Sequence, residues 1–269
     1  MEDRFYKLFG TKKPIIAMVH LGALPGSPLY NKEIGITGLI KEAKKDLEAL
    51  QTAKFDAIMF GNENDRPYQL TVDTASTAAA ACIIGELKKD IQIPFGVDML
   101  WDPIATIALG TATKANFVRE IFTGTYSSDM GIWAPDAGKA LRYRKNLGSE
   151  EMLLFFNISA EFAYSQDRRS LPDRARSVVF SSLPDAILVS GQITGEAASI
   201  NDLISVKKAL PNTPVLANTG VKHDTVTQVL TTADGCIVGS SLKEDGDTWK
   251  PVNPERAIEF MNIVNKFRS

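Results

Sequence analysis

Eight short apolar segments alternate with amphipathic segments along the whole chain, and this alternation is the strongest constraint on the fold. The apolar segments are continuous runs, which is typical of parallel strands that are covered on both faces. Strands are predicted at 14–19, 55–60, 93–100, 115–122, 152–158, 185–189, 214–217 and 234–238. This order favours a (β/α)8 TIM barrel, and a doubly wound open sheet is the alternative.

The segments between the predicted strands have the apolar spacing of helices that pack against a sheet. In the first of them, Ile36, Leu39, Ile40, Ala43 and Leu47 recur three or four residues apart, which forms one apolar face. Helices are likewise predicted at 74–89, 137–147, 173–182, 200–210, 224–231 and 254–267, and a weaker pattern covers 103–113. We therefore expect a single barrel domain over residues 1–269, with residues 1–13 as an N-terminal lead-in.

The composition excludes several classes of protein. Hydrophobic residues make up 44% of the chain, enough to build a packed core, which argues against intrinsic disorder. The apolar runs all fall short of the roughly 20 residues that a membrane span needs. The 30 basic and 32 acidic residues nearly cancel and form no basic stripe, so nucleic acid is not an expected partner.

Two further features of the sequence favour a cytoplasmic protein. Cys82 lies in a predicted helix and Cys236 in a predicted strand, and both are expected to be small buried residues that form no disulfide. The acidic N-terminal segment lacks the basic and apolar parts of an export signal.

The connections differ in length at the two ends of the predicted strands. Those from helix to strand are short, as at 52–54 and 90–92, whereas those from strand to helix are long, as at 21–35, 61–72 and 123–135. Active sites of parallel barrels lie at the carboxyl ends of the strands. The long loops therefore predict a pocket at that end, and the alternative is that they only cover the barrel mouth.

Glycine, serine and threonine residues follow the last three predicted strands. Glycine-rich turns let backbone N–H groups point at a phosphate, and barrels often bind phosphate after their last strands. A single glycine there would predict only a tight turn, but three such turns together favour a ligand with a phosphate group. The predicted phosphate-binding residues are Gly191, Thr194, Gly195, Thr219, Gly220, Gly239, Ser240 and Ser241.

Titratable residues lie at or just after the ends of the early strands. The predicted catalytic residues are His20, Glu63, Asp98, Asp102 and Glu120. Two carboxyl groups in one pocket can act as acid and base when their environments separate their pKa values, and a histidine titrates near neutral pH. Asp102 precedes Pro103 and is equally suited to cap a helix. His20 is equally suited to a structural role as a neutral histidine.

Arg119, Asn157 and Asn218 are predicted to bind substrate. Arg119 and Glu120 are neighbours on one strand, so only one of them faces inward if the strand is regular. No histidine pair or cysteine cluster has metal-ligand spacing, but Mg²⁺ on the predicted carboxylates, together with a substrate phosphate, is compatible with the sequence. A Schiff-base lysine is disfavoured because none follows a strand closely, and His223 is expected at the surface.

Several segments resemble the BtpA/SgcQ family. They are MVHL at 18–21, LPGSP at 24–28, NE at 62–63, FGVDMLWDP at 95–103, FVREIFTG at 117–124, SG at 190–191 and ANTGV at 217–221. The resemblance covers almost the whole chain and is greatest to the SgcQ branch, which is found with carbohydrate-uptake genes. The BtpA branch is associated with photosystem I biogenesis. The resemblance implies a phosphate-binding type of barrel and no particular reaction.

Two classes of function fit these observations. The first is an enzyme of carbohydrate metabolism that acts on a small phosphorylated sugar or a related metabolite, as a lyase, isomerase or epimerase, through carboxylate and histidine groups. A hydrolase is a near alternative, because paired carboxyl groups also suit it. The second, implied by the BtpA branch, is a non-catalytic binding or assembly factor. Residues 130–134 would then be an apolar patch, a lid or a subunit contact, and a homo-oligomer is compatible with the sequence.

Overall fold

The computed structural model describes residues 2–269, and eight parallel strands in it form a closed barrel. The strands in chain order are β1 (Ile15–His20), β2 (Ala57–Gly61), β3 (Phe95–Asp98), β4 (Phe117–Glu120), β5 (Tyr126–Ser128), β6 (Gly131–Trp133), β7 (Leu153–Asn157), β8 (Ala163–Ser165), β9 (Ala186–Val189), β10 (Val215–Ala217) and β11 (Gly235–Val238). The barrel runs in the order β1, β2, β3, β4, β7, β9, β10, β11 and closes on β1. The predicted (β/α)8 barrel is confirmed, and the open sheet is wrong.

Seven of the helices in the described residues connect the barrel strands on the outside, whereas α1 precedes β1 and α9 follows β11. The helices are α1 (Glu2–Phe9), α2 (Gly35–Thr52), α3 (Thr74–Leu87), α4 (Pro103–Thr113), α5 (Ala137–Asn146), α6 (Leu171–Ser182), α7 (Ile200–Ala209), α8 (Val226–Thr232) and α9 (Pro254–Arg268). Six of them begin at a side chain that accepts a backbone N–H of the first turn, which stabilises the start of a helix. The capping residues are Asp73, Asp102, Asp136, Ser170, Ser199 and Asn253. None of the helices within residues 2–269 is long and apolar enough to cross a membrane.

The strands divide the apolar core into two layers. On β1, Ile16 and Met18 belong to the cluster inside the barrel, whereas Ile15 and Ala17 belong to the cluster between the strands and the outer helices. This division follows from the twofold alternation of side chains along a strand. Both faces of each strand are therefore apolar, which explains why the sequence shows continuous apolar runs.

The N-terminal lead-in contains a helix that the sequence pattern did not predict. Phe5 and Phe9 of α1 pack into the barrel-interior cluster, with ring centroids 5.7 Å from Phe155 and 5.8 Å from Phe117 respectively. Phe5 is fully buried, and burial of one such side chain contributes roughly 1.5–3 kcal/mol. The helix α1 thus closes the end of the barrel opposite the long loops.

The loops after β4 and β7 contain a small antiparallel sheet, with β5 between β6 and β8. The sequence pattern predicts no strands in these segments. Trp133 on the inner face is buried against Trp101, with ring centroids 5.4 Å apart, whereas Ile132 on the outer face is 71% exposed. The segment 130–134 is therefore half core and half surface, because its residues alternate between the two faces of a strand.

One cysteine differs from its predicted environment. Cys236 is buried on β11 as expected, but Cys82 is exposed on the outer face of α3. The alanine-rich sequence of this helix does not distinguish its inner face from its outer face, and the apolar run around Cys82 was therefore misread as buried.

Candidate active site

A cavity of about 770 Å³ opens at the carboxyl ends of the barrel strands, between the long loops. One part of its wall holds His20, Glu63, Arg119, Glu161 and Asn218. The facing part holds turns after the last strands, with Thr194, Gly195, Thr219, Gly220, Gly239, Ser240 and Ser241. The structure thus brings most of the predicted residues to one cavity, with a charged side and a glycine-rich side.

The predicted residues that do not line this cavity are Asp98, Asp102, Glu120, Asn157 and Gly191. Asp102 has a structural place: its Oδ1 accepts the N–H groups of Ile104 and Ala105 at the start of α4, and its Oδ2 accepts the N–H of Val72. Both carboxylate oxygens of Asp102 are therefore occupied by backbone donors, as the helix-capping alternative expects.

Arg119 is the centre of the charged side. Its Nε and Nη2 donate to Asp98 Oδ2 at 2.7 and 2.5 Å, and Nη2 lies 3.5 Å from Glu63 Oε1. Its Nη1 donates to Asn218 Oδ1 at 3.1 Å. The guanidinium group is buried, and the neighbouring carboxylates keep its pKa above the ordinary value despite the opposing effect of burial. Arg119 is therefore a permanent cation inside the barrel.

Glu120 follows Arg119 on β4 and points to the other face of the strand. Its Oε2 accepts the N–H of Ile121, and its Oε1 has no partner. Burial, and then the charge of Asp98, raise the pKa of Glu120 far above the ordinary value. Burial also raises the pKa of Asp98, although Arg119 opposes this. Asp98 is bonded to the cation of Arg119, which opposes the effect of burial on its pKa, whereas Glu120 has no such bond.

His20 ends β1 at the floor of the cavity. Its Nε2 lies 3.7 Å from Glu63 Oε1, and its Nδ1 lies 3.5 Å from the carbonyl oxygen of Thr248. Burial, and then the charge of Lys243, lower the pKa of His20 to about 3. The imidazole is therefore neutral at physiological pH. Lys243 itself is buried and bonded to Asp46 Oδ2 at 2.9 Å, outside the cavity wall.

Glu161 is a cavity residue that the sequence did not indicate. It lies in the loop after β7, is 3% exposed, and accepts a hydrogen bond from Asn218 Nδ2 at 3.2 Å. Burial raises the pKa of Glu161 to about 7, whereas Arg119 and a hydrogen bond from Ser190 partly oppose this. A carboxyl group with such a pKa is suited to proton transfer near neutral pH. No motif marks this loop, so sequence spacing gave no signal for Glu161.

The glycine-rich side is built from three turns that pack on each other. The N–H of Gly191 donates to Thr219 Oγ1 at 2.6 Å, and a Cβ atom on Gly191 would overlap the carbonyl oxygen of Glu196. Gly220 has a φ of +64°, and a Cβ atom there would overlap the backbone N of Ala197. Glycine is thus required where the turns after β9 and β10 meet.

Three residues that line the cavity on this side have backbone N–H groups without a partner among the described residues. In the described part of the chain, the N–H groups of Gly220, Ser240 and Ser241 donate no hydrogen bond. Ser240 and Ser241 begin a 3-10 turn directly after β11, where N–H groups have no partner within the turn. This arrangement suits an anion.

His223 is not the surface residue that the sequence suggested. It is half-buried in the cavity wall, where its Nδ1 lies 2.9 Å from Ser241 Oγ and its Nε2 2.9 Å from the carbonyl oxygen of Arg256. Lys222 and Arg256 also reach this wall. The sequence analysis missed these two cations because neither belongs to a motif.

Metal ligands do not converge in the described residues: no three His, Cys, Asp or Glu side chains within 2–269 form a cluster that could hold an ion. Three buried carboxylate oxygens without a hydrogen-bond partner, on Glu63, Asp98 and Glu120, are spread around the Arg119 region instead.

Replacing Glu161 by glutamine is expected to stabilise the protein at pH 8 by on the order of 1 kcal/mol. The pKa of Glu161 is raised in the folded state, from an ordinary value of 4.5 to about 7. The free energy of unfolding therefore falls as the pH rises through this range, because ionisation of the carboxyl group is less favourable in the folded than in the unfolded protein. The neutral amide avoids this loss. Urea unfolding at pH 5 and pH 8 should show a gap between variant and wild type that widens with pH; a gap that narrows would contradict the assignment.

Comparisons with known proteins agree on one family and one fold. The model of the BtpA family matches residues 11–266. The putative sgc region protein SgcQ of Escherichia coli is 44% identical over 262 residues, which are 97% of this chain and 98% of the relative. The photosystem I biogenesis protein BtpA of Synechocystis is 29% identical over 96% of this chain and 90% of its own.

The comparison of structures shows the same barrel in a distant protein. Phosphoribosyl anthranilate isomerase from Thermus thermophilus superposes with a TM-score of 0.57 and 10% sequence identity, over 95% of this chain and 100% of that one. At this identity the similarity shows a shared fold and nothing about the reaction.

Proposed function

This chain belongs to the BtpA family, and we propose that it is an enzyme that acts on a small phosphorylated sugar or a related metabolite by acid–base chemistry. The observation that carries this proposal is the division of the cavity into two sides. The turns with the N–H groups of Gly220, Ser240 and Ser241 suit a phosphate group, and the side with Arg119 and Glu161 suits the reacting carbon atoms.

The phosphate would lie against the turns after β9, β10 and β11. Backbone N–H groups at such turns bind phosphate without a basic surface, in agreement with a net charge of −2. Lys222 and Arg256 add positive charge at the same wall, although the acidic residues Glu196, Asp224 and Asp245 also border it. Specificity for a phosphate would therefore come from the backbone donors more than from net charge.

The other side of the cavity would carry out proton transfer. Glu161 has a pKa near neutral pH, and the cation of Arg119 can stabilise negative charge that develops on the substrate. His20 is neutral, so it would hydrogen-bond the substrate and not supply a charge. These properties fit the lyase, isomerase and epimerase classes.

Sugar phosphates are expected to raise the melting temperature, whereas the same sugars without phosphate are not. The melting temperature is to be measured with each sugar in the presence and in the absence of Mg²⁺, because carboxylate oxygens without a hydrogen-bond partner lie near the cavity. Lys222→Met is expected to weaken binding roughly tenfold by removing one charged contact. The matched control, Lys266→Met, removes an exposed lysine of α9 and should bind like wild type. Equal shifts with phosphorylated and unphosphorylated sugars would contradict the proposal.

A non-catalytic assembly factor is the second candidate, and one observation favours it. Ile132 and Tyr164 are 71% and 77% exposed, and both pair with Ser127 across the small sheet, so they form one apolar row on the outer face. The double variant with Ile132→Ser and Tyr164→Ser separates the candidates. It should leave ligand-induced stabilisation unchanged if the protein is an enzyme of the kind proposed.

A further inference from the structure

Glu161 stands at the end of a hydrogen-bond chain whose direction is fixed. Arg119 Nη1 donates to Asn218 Oδ1 at 3.1 Å, and an arginine can only donate. This bond defines Oδ1 of Asn218 as the acceptor. Its Nδ2 group therefore donates, to Ser190 Oγ at 2.8 Å and to Glu161 Oε1 at 3.2 Å. The chain from Arg119 thus ends in an N–H donor to the Glu161 carboxyl group.

A second chain reaches the same carboxyl group through Ser190. The backbone N–H of Ser159 donates to Asn157 Oδ1 at 3.1 Å, so Asn157 Nδ2 is the donor to Ser190 Oγ at 2.8 Å. Ser190 Oγ accepts from two amides, which leaves its O–H free to donate elsewhere. The Ser190 hydroxyl acts on Glu161 by lowering the pKa of its carboxyl group, against the effect of burial.

The Asn218 amide and the Ser190 hydroxyl both favour the ionised form of Glu161, whereas burial disfavours it and keeps its pKa raised, to about 7. Glu161 is therefore able to accept a proton near neutral pH. Ser190 and Asn157 are positioning residues in this arrangement, because they act through Glu161 and Asn218 and do not line the cavity themselves.

Arg119 has one N–H donor that no residue within 2–269 accepts. A guanidinium group carries five N–H bonds. Nε donates to Asp98, Nη2 is directed to Asp98 and Glu63, and one N–H of Nη1 donates to Asn218. The fifth N–H is the second one on Nη1, the nitrogen that is bonded to Asn218. Arg119 lines the cavity, so this donor is available to a ligand.

We infer that Glu161 is the general base and that the unused Nη1 N–H of Arg119 binds the carbonyl oxygen next to the C–H bond that is broken. This inference rests on the proposed function and names its substrate class: open-chain phosphorylated α-hydroxy ketones and α-hydroxy aldehydes. A carbonyl group makes the adjacent C–H bond acidic enough for a carboxylate to remove its proton, because the charge is delocalised onto the carbonyl oxygen, and the arginine cation stabilises that oxygen.

The proton balance of the step is simple. The Glu161 carboxylate takes the proton from the carbon next to the carbonyl group, and the C–H electron pair forms the C=C bond of an enediolate. The carbonyl π pair becomes an oxyanion that accepts the Arg119 N–H. Return of the proton to the same carbon regenerates the substrate. Return to the former carbonyl carbon, with transfer of the hydroxyl proton from one enediolate oxygen to the other, gives the isomer.

Proton exchange in D₂O tests this inference without knowledge of the natural substrate. Dihydroxyacetone phosphate, ribulose 5-phosphate and fructose 6-phosphate serve as probes, and glucitol 6-phosphate, which has no carbonyl group, serves as the control compound. Proton NMR is expected to show loss of the C–H signal next to the carbonyl group for at least one probe. Glu161→Gln should lower this exchange roughly 10²–10⁴-fold, as expected for removal of a general base. Glu259→Gln, which replaces an exposed glutamate of α9, should exchange like wild type.

The pH profile of exchange distinguishes a positioning role of Ser190 from a purely structural one. In wild type, exchange should rise with pH through about 7, as Glu161 ionises. In Ser190→Ala the carboxyl group loses a donor that stabilises its charge, so the rising part of the profile should move to higher pH. A loss of rate that is equal at every pH would overturn the role assigned to Ser190.

Probe binding, measured by thermal shift, distinguishes a failure of the proposed function from a failure of the roles inferred for Glu161 and Arg119. If none of the probes binds, both the proposed function and this inference are wrong. If a probe binds and no exchange occurs, or if Glu161→Gln exchanges like wild type, the inference is overturned and the proposed function stands.

Discussion

Replacing Arg119 by methionine is expected to lower the free energy of unfolding by about 3–5 kcal/mol. Arg119 is the only cation bonded to Asp98 and Glu63 among the residues that the structure describes, and all three side chains are buried. Methionine keeps a similar volume but leaves two carboxyl groups inside the barrel without their partner. Urea unfolding at pH 7 measures the loss, as a lower midpoint at an unchanged slope.

The loss should depend on pH in a defined direction. Without Arg119, the pKa values of Asp98 and Glu63 rise further in the folded state, because burial is no longer opposed by the guanidinium group. A carboxyl group whose pKa is higher in the folded than in the unfolded state lowers the free energy of unfolding as the pH rises. The difference in the free energy of unfolding between variant and wild type should therefore be smallest near pH 4 and largest above pH 7. Arg176→Met, which breaks an exposed pair with Asp173, should change little. An equal loss at all pH values would show that the effect comes from packing.

The second large effect is expected for Gly220→Ala. Any residue with a Cβ atom is strained by about 1–2 kcal/mol at this positive φ, and the new methyl group would also overlap the backbone N of Ala197. Overlap with a fixed backbone adds roughly 1–3 kcal/mol, or it pushes the neighbouring turn out of place. Because both turns border the glycine-rich side of the cavity, we expect affinity for sugar phosphates to fall at least tenfold.

Gly148→Ala is the matched control for this variant. Gly148 has a φ of +67°, almost the same as Gly220, but a Cβ atom there would meet nothing within 4 Å. The control therefore carries the backbone strain without the overlap and lies far from the cavity. It should lose about 1–2 kcal/mol of stability and keep its affinity. If both variants bound sugar phosphates like wild type, the turn at Gly220 would not contact the ligand.

The barrel was predictable because its signal is repeated eight times. Strands such as β1 are buried on both faces, so that Ile15 to Val19 read as one apolar run, and capping residues such as Asp73 mark the helix starts. The small sheet was not predictable, since strands of three residues with serine and tyrosine, like β5, carry too little periodicity. The helix α1 was missed because its stabilisation comes from Phe5 and Phe9 inside the barrel.

The site was predictable only in part. Residues at strand ends, such as His20 and Asn218, could be found because parallel strands place their carboxyl ends at one edge. Glu161 lies in a loop, and only the folded chain shows that it meets Asn218 and Ser190. Similarly, adjacent residues of one strand could not be assigned to its faces, and the structure places Arg119 at the cavity and Glu120 behind it.

The helix α1 also affects from which end a ligand can approach the barrel. Phe5 and Phe9 pack into the apolar cluster that fills the barrel interior, and they cover that cluster at the end opposite the long loops. On the function proposed above, substrate and product use the same opening, between the loops at the carboxyl ends of the strands. Substitutions in those loops are then expected to change the rates of binding and release without a change to Arg119 or Glu161.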